Sequence, residues 1–91
     1  MTTVRGTFEV RNKLGLHARA ATKLVQLATK YPCEIQISRA GQSANAKSVM
    51  GVLLLCGSKG TTLDIEAHGP SAEEAVQKLG QLIFDRFGED E

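Results

Sequence analysis

The sequence is poor in the features that mark several common classes of protein. It contains no tryptophan and a single tyrosine, Tyr31, and its 11 basic residues are balanced by 10 acidic ones. The charges are scattered, so no basic block indicates a nucleic-acid partner. The longest apolar run, Val52 to Cys56, is far shorter than the roughly 20 residues that cross a bilayer. We therefore expect neither nucleic-acid binding nor membrane insertion.

Cysteine and histidine are equally scarce. Cys33 and Cys56 form no C-x-x-C pair, and His17 and His68 are the only histidines. This spacing does not favour a metal site, and no cofactor is expected. The two cysteines are interpreted as small apolar residues packed in or near the core, although the sequence leaves a disulfide open.

The length of 91 residues predicts one domain, spanning residues 1–91. The opening segment "MTTVRGTFEV" has no charged stretch followed by an apolar one, as a secretory signal would. Together with the unpaired cysteines, this pattern favours a cytoplasmic location.

Apolar residues recur with two different periods that alternate along the chain. A period of two predicts strands near residues 4–10, 33–37 and 62–67, and a weakly patterned stretch at 42–46 predicts another. Spacings of three and four predict helices at about 18–30, 48–55 and 71–87. The order βαββαβα favours the α+β class, as a two-layer sandwich of an antiparallel sheet with helices on one face.

Several element ends carry their own signals. Ser71 and Glu74 are spaced as a capping box for the third helix, whose apolar stripe is predicted to reach Phe87. The segment "RAGQS" predicts a hairpin in which Gly41 has a positive φ. The final segment "GEDE" is expected to fray.

His17 stands where a loop containing Gly15 becomes the first helix. Amides of a first helical turn lack intrahelical partners, and the positive end of the helix favours an anion. The same end disfavours a charged imidazole, so the ring is expected to be largely neutral and nucleophilic. A phosphoryl group on it would lie against the amides, with Arg19 as a second source of positive charge. From these residues alone, an indifferent surface histidine remains an equal alternative.

Two segments together resemble a known family. The stretch "GLHARAATKLV", followed some thirty residues later by "AKSVMGVLLL", is similar to HPr, the histidine-containing phosphocarrier of the bacterial sugar phosphotransferase system. The likeness extends over nearly the whole chain in length and element order. It implies an open-faced sandwich of four antiparallel strands and three helices.

The resemblance also implies roles for particular residues. His17 matches the histidine that phospho-enzyme I phosphorylates on Nδ1, with phosphoenolpyruvate as the source, and Arg19 matches the arginine that assists there. The acceptors would be histidines of enzyme IIA domains, so the chain would carry a phosphoryl group without being an enzyme. Ser48 matches a serine that an ATP-dependent HPr kinase/phosphorylase phosphorylates for regulation, although by composition it is simply a favoured helix cap.

The sequence departs from the family at two positions. The family usually has proline where Ala20 stands, and alanine adds a backbone donor and some flexibility to the first turn. It often has glycine where Cys56 stands. Because cysteine enters a left-handed conformation less readily, the second helix is expected to end later, near Gly57.

The run after Ser48 contains more apolar residues than one helix face can bury, so Met50 and Leu53 are predicted to form an exposed docking patch. The resemblance implies that enzyme I, enzyme IIA domains and the kinase bind there. The full predicted partner surface comprises Leu16, Ala20, Lys23, Lys47, Val49, Met50 and Leu53. A carrier that meets several partners through one face is expected to be a monomer. The alternatives are a regulatory interaction module acting through Ser48 and, less in keeping with the composition, a general binding domain for RNA or another ligand.

Overall fold

The computed structural model describes residues 2–91. Its elements are β1 (Thr3–Glu9), α1 (Ala18–Ala28), β2 (Glu34–Arg39), β3 (Gln42–Asn45), α2 (Val49–Leu54), β4 (Thr62–His68) and α3 (Ala72–Phe84), followed by a single turn at Arg86–Gly88. The predicted order βαββαβα is confirmed, and the last turn is an addition to it.

The four strands form one antiparallel sheet in the order β1-β4-β2-β3. Alternation along β4 buries Leu63, Ile65 and Ala67 and leaves Thr62 and Asp64 exposed, as a strand with one covered face requires. The helices cover the apolar face and the other face is open. The predicted open-faced α+β sandwich is therefore confirmed.

A two-residue turn joins β2 to β3. Arg39 pairs with Gln42, and both Ala40 and Gly41 have positive φ, at 49° and 84°. Such a turn matches the right-handed twist of the paired strands. The prediction of a hairpin with a positive φ at Gly41 is confirmed.

The third helix begins and ends differently from the prediction. Ser71 directly precedes α3, but its φ of 65° is left-handed and its side chain makes no capping hydrogen bond. A capping serine normally has an extended backbone that directs its oxygen at the first-turn amides, so the capping box with Glu74 was wrong. The helix ends at Phe84. Phe87 lies in the following turn, where its φ is 55° and its side chain is fully buried.

The end of the second helix also corrects a prediction. Helix α2 ends at Leu54, earlier than expected, and Cys56 takes a left-handed φ of 53°. The early ending aligns the carbonyl of Gly57 with the amide of Leu16, to which it is bonded at 2.8 Å. Cys56 is exposed, against the expectation of a core residue, whereas Cys33 is buried and both thiols are free.

The helices are short. In the part of the chain from residue 2 onward, none has the length and apolar character needed to cross a membrane.

Candidate functional site

His17 occupies the position just before α1, where the loop becomes helix. Its backbone is extended, with φ −76° and ψ 177°, and its carbonyl accepts a hydrogen bond from the amide of Ala21 at 2.9 Å. The side chain makes no capping hydrogen bond and is 28% exposed. His17 therefore stands at the positive end of the helix, as the sequence predicted.

The loop that presents His17 is packed tightly against the loop that follows α2. The Leu16 amide donates to the Gly57 carbonyl, and Gly15 has a φ of 65°. A Cβ on Gly15 would lie 2.4 Å from the Gly57 oxygen, and one on Gly57 would lie 2.8 Å from Cδ1 of Leu16. Only glycine fits this approach at position 15, because both its φ and its lack of a side chain are needed. The backbone before His17 is thereby fixed.

Glu89 contributes a carboxylate that the sequence analysis did not identify. Its Oε2 is hydrogen-bonded to Nε2 of His17, and its side chain is only 15% exposed. Among residues 2–91, no hydrogen bond engages Nδ1 of the ring. The imidazole is thus held at one nitrogen and left free at the other.

Asn12 fixes the same carboxylate from the other side. Its Nδ2 donates to Oε1 of Glu89 at 2.9 Å and to the carbonyl of Gly15 at 2.8 Å. Asn12 is fully buried, and its Oδ1 has no hydrogen-bond partner within the described chain. Because both neighbours are acceptors, the amide nitrogen must face them. Asn12 therefore ties the loop before α1 to the end of the chain.

The environment of Glu89 keeps it ionised. Burial alone would raise the pKa of this carboxyl, but the hydrogen bonds from Asn12 and His17 oppose it. The positive charge of Lys23 acts in the same direction, and the net effect lowers the pKa of Glu89 below its ordinary value of 4.5. At neutral pH the side chain is an acceptor only.

The predicted fraying of "GEDE" was wrong, because the segment lies against the site. The Lys13 amide donates to the Glu91 carbonyl at 2.9 Å, and Nζ of Lys23 donates to the Phe87 carbonyl at 2.7 Å. Together with the contacts of Glu89, these bonds hold residues 87–91 against α1 and the loop before it. No periodicity could reveal this, since His17 and Glu89 are 72 positions apart.

A shallow groove runs along His17 and this terminal segment. Arg19 is exposed and lines the groove. The remaining lining residues are Lys13, Leu14, Ala18, Glu89, Asp90 and Glu91. The groove thus combines a cationic side, from the helix start and Arg19, with an acidic side from the end of the chain.

Ser48 caps α2 as its composition suggested. Its Oγ accepts a hydrogen bond from the Gly51 amide at 3.1 Å, with an extended backbone at φ −117°. Beyond it, Met50 is 67% exposed and Leu54 is 68% exposed, whereas Leu53 is partly buried against the core. Leu54 therefore takes the exposed position that the sequence analysis gave to Leu53, because the helix turns that position outward.

The other residues of the predicted partner surface divide by burial. Leu16 is 6% exposed and Ala20 is fully buried, so neither side chain is part of an exposed face. Val49 is half-buried. Lys23 is bonded to the terminal segment, and Nζ of Lys47 donates to the Tyr31 carbonyl at 2.7 Å.

Comparison with known proteins gives a consistent result. The sequence model of the family described as PTS HPr component phosphorylation site matches residues 4–85. Phosphocarrier protein HPr of Cupriavidus necator is 49% identical over 80 residues, covering 88% of this chain and 90% of that protein. Phosphocarrier protein NPr of Escherichia coli is 40% identical over 89 residues, covering 97% and 99%.

A solved structure agrees over the full length. The crystal structure of HPr from Thermoanaerobacter tengcongensis superposes with a TM-score of 0.91 at 41% identity, covering 100% of both chains. Since sequence and structure match over almost the whole of each relative, this chain belongs to the HPr family of phosphocarrier proteins of the phosphotransferase system.

Proposed function

We propose that this chain, as one HPr-like domain spanning residues 1–91, carries a phosphoryl group on Nδ1 of His17. Phospho-enzyme I, charged by phosphoenolpyruvate, is the donor, and a histidine of an enzyme IIA domain is the acceptor. The observation that carries the proposal is the imidazole itself: it stands at a helix start with Nε2 bonded to Glu89 and Nδ1 free. The chain performs no catalysis without these partners, and it works in the cytoplasm, where they are expected.

The surroundings of the ring suit a transferable phosphoryl group. Unpaired amides and the dipole of α1 favour a dianion next to His17. The guanidinium of Arg19, exposed in the same groove, supplies a planar pair of donors for phosphate oxygens. None of these groups bonds covalently to phosphorus, so the group can leave again once a partner histidine is in line.

We place the docking face of the partners on α2 and its contact with α1. Met50 and Leu54 are large, exposed and apolar, and Val49 and Leu53 support them from a half-buried position. Exposed apolar side chains of this size are typical of interaction surfaces. Lys23 and Lys47 lie outside this apolar set, where their bonds to backbone carbonyls fix their orientation. A monomer leaves this face free.

The direct test is phosphorylation by purified enzyme I and phosphoenolpyruvate, comparing wild type with His17→Ala and following ³¹P NMR. An acid-labile phosphohistidine signal is expected in the wild type and absent in the variant. A second HPr charged by the same enzyme serves as the positive control. If that control is charged and the wild-type chain is not, the carrier role is refuted.

Ser48 supports a second, regulatory function, phosphorylation by an ATP-dependent HPr kinase. Its hydroxyl caps α2 two residues before the exposed Met50, so a phosphate would add about two negative charges at the proposed docking face. We expect Ser48→Asp to slow charging by enzyme I without unfolding the domain. Ser48→Ala is the control: it loses a cap worth about 1 kcal/mol but adds no charge. Charging of Ser48→Asp at the wild-type rate would refute this regulation. If His17 proves inert while Ser48 is a kinase substrate, the chain is instead a regulatory module.

A further inference from the structure

The carboxylate of Glu89 is held at both oxygens. Oε2 is bonded to Nε2 of His17 and Oε1 accepts from Nδ2 of Asn12. Asn12 is itself fixed, because it is fully buried and also donates to the carbonyl of Gly15. Glu89 therefore cannot rotate away from the ring without leaving a buried donor unpaired.

This arrangement determines where the proton of the imidazole resides. An ionised carboxylate can only accept a hydrogen bond, so Nε2 must be the donor. In a neutral ring the second nitrogen then has no proton, and its lone pair is available. The contact between Nε2 and Glu89 thus makes Nδ1 the nucleophilic atom.

We propose that Glu89 is a positioning residue for the phosphoryl transfer at His17, a role that rests on the proposed function. It keeps the proton on Nε2 and compensates the positive charge that the ring gains during the reaction. Glu89 would then act as the aspartate of a serine-protease triad does, by fixing the tautomer and orientation of the histidine.

The phosphoryl transfer does not require any proton to leave the ring of His17. The lone pair of Nδ1 forms a bond to phosphorus while the bond from phosphorus to the donor histidine breaks, and that electron pair returns to the donor nitrogen. The ring of His17, with Nε2 still protonated, is then a cation beside the Glu89 carboxylate. In the discharge step a lone pair on the acceptor histidine forms a bond to phosphorus while the electrons of the N–P bond return to Nδ1, so that His17 leaves as a neutral imidazole.

The substitution Glu89→Gln gives a sharp prediction. Nδ2 of Asn12 is an obligate donor, so the glutamine must turn its carbonyl oxygen toward Asn12 and its amide nitrogen toward His17. That nitrogen donates to Nε2 and drives the ring proton to Nδ1, which blocks the nucleophile. Glu89→Ala removes the hydrogen-bond partner of Nε2 altogether, so no neighbouring side chain determines which ring nitrogen carries the proton. Glu89→Gln, although nearly the same size as wild type, should therefore carry the phosphoryl group less well than Glu89→Ala.

The experiment combines ring ¹⁵N NMR of the unphosphorylated protein with the kinetics of charging by phospho-enzyme I. In Glu89→Gln we expect the ¹⁵N pattern of an Nδ1–H ring and a fall in kcat of about 100-fold with KM unchanged. This is smaller than the roughly 10⁴-fold cost of the same tautomer error in a buried triad, because His17 is 28% exposed. The kcat of Glu89→Ala should fall by about 10-fold, at the lower end of what loss of one hydrogen bond to a charged group produces.

Glu9→Gln is the matched control, since Glu9 is an exposed carboxylate of β1 outside the groove, and this variant should behave as wild type. Thermal melting of all variants distinguishes an effect on the orientation and tautomer of the His17 ring from a loss of folding. An unchanged ring pattern and an unchanged rate in Glu89→Gln would overturn the proposal. If the wild-type protein is not charged at all, the carrier function fails, and the ring ¹⁵N pattern still decides whether Glu89 sets the tautomer.

Discussion

Asn12→Ala is the most informative test of how the end of the chain is attached. The substitution removes a hydrogen bond to the charged Glu89, worth about 1.5–3 kcal/mol, and one to the Gly15 carbonyl, worth about 0.5–1.5 kcal/mol. It also removes the buried, unpartnered Oδ1, whose desolvation cost of about 1–3 kcal/mol is relieved. At the middle of these ranges, the net expectation is a loss of about 1 kcal/mol in the free energy of unfolding.

Urea denaturation with linear extrapolation measures this loss, and a melting temperature lower by roughly 4–8 °C should accompany it in a domain of this size. Asn12→Asp is the companion variant. It preserves size but replaces the donating nitrogen with an oxygen that faces both a carbonyl and a carboxylate, so its loss should exceed about 3 kcal/mol. If the Asp variant is as stable as wild type, Glu89 is not docked on Asn12 in solution, and our account of the site is wrong.

Three further predictions concern the same region. Gly15→Ala should lower the free energy of unfolding by about 2 kcal/mol or more, because the left-handed φ alone costs about 1–2 kcal/mol and the new methyl group clashes with Gly57. It should also slow phosphoryl transfer. Denaturation measures the first effect and the rate of charging by enzyme I measures the second. Cys56→Gly should raise the free energy of unfolding by about 0.5–1 kcal/mol, because relieving the strain of the left-handed φ stabilises the fold by more than the added flexibility of glycine in the unfolded chain destabilises it. A lower melting temperature of the variant would contradict this. Because the pKa of Glu89 is lowered in the folded state, its contribution to stability is complete above pH 4.5 and is lost as the pH falls through that lowered value. A fall in the protection factor of the Lys13 amide, relative to its intrinsic exchange rate at each pH, would show this loss below pH 4.5 and should be absent in Glu89→Gln.

The elements of the fold were predictable because their signals are local. Alternation along residues 62–67 and spacings of three and four along α1 depend only on neighbouring positions, so the sequence contains them directly. The same is true of the start of α1 at His17 and the cap at Ser48, which each depend on a few adjacent residues.

What could not be predicted depends on contacts between distant segments. Glu89 reaches His17 only because α3 ends at Phe84 and a left-handed turn redirects the chain, and no short-range rule encodes that turn. Cys56 adopts an unfavourable φ because the following carbonyl must meet the Leu16 amide, so tertiary packing overrides its local preference. Ser71 fails as a side-chain cap for the related reason that the turn after β4 sets its backbone.

The close approach of Leu16 and Gly57 has a consequence for how such chains diverge. A methyl group on residue 57 would meet Cδ1 of Leu16 at 2.8 Å, so either substitution changes the effect of the other. Gly57→Ala alone should be harmful and tolerated only once position 16 is shortened to valine, whereas Leu16→Val alone leaves a void. The two sites, 41 positions apart in sequence, should therefore show sign epistasis in a pairwise mutational scan and should covary across lineages.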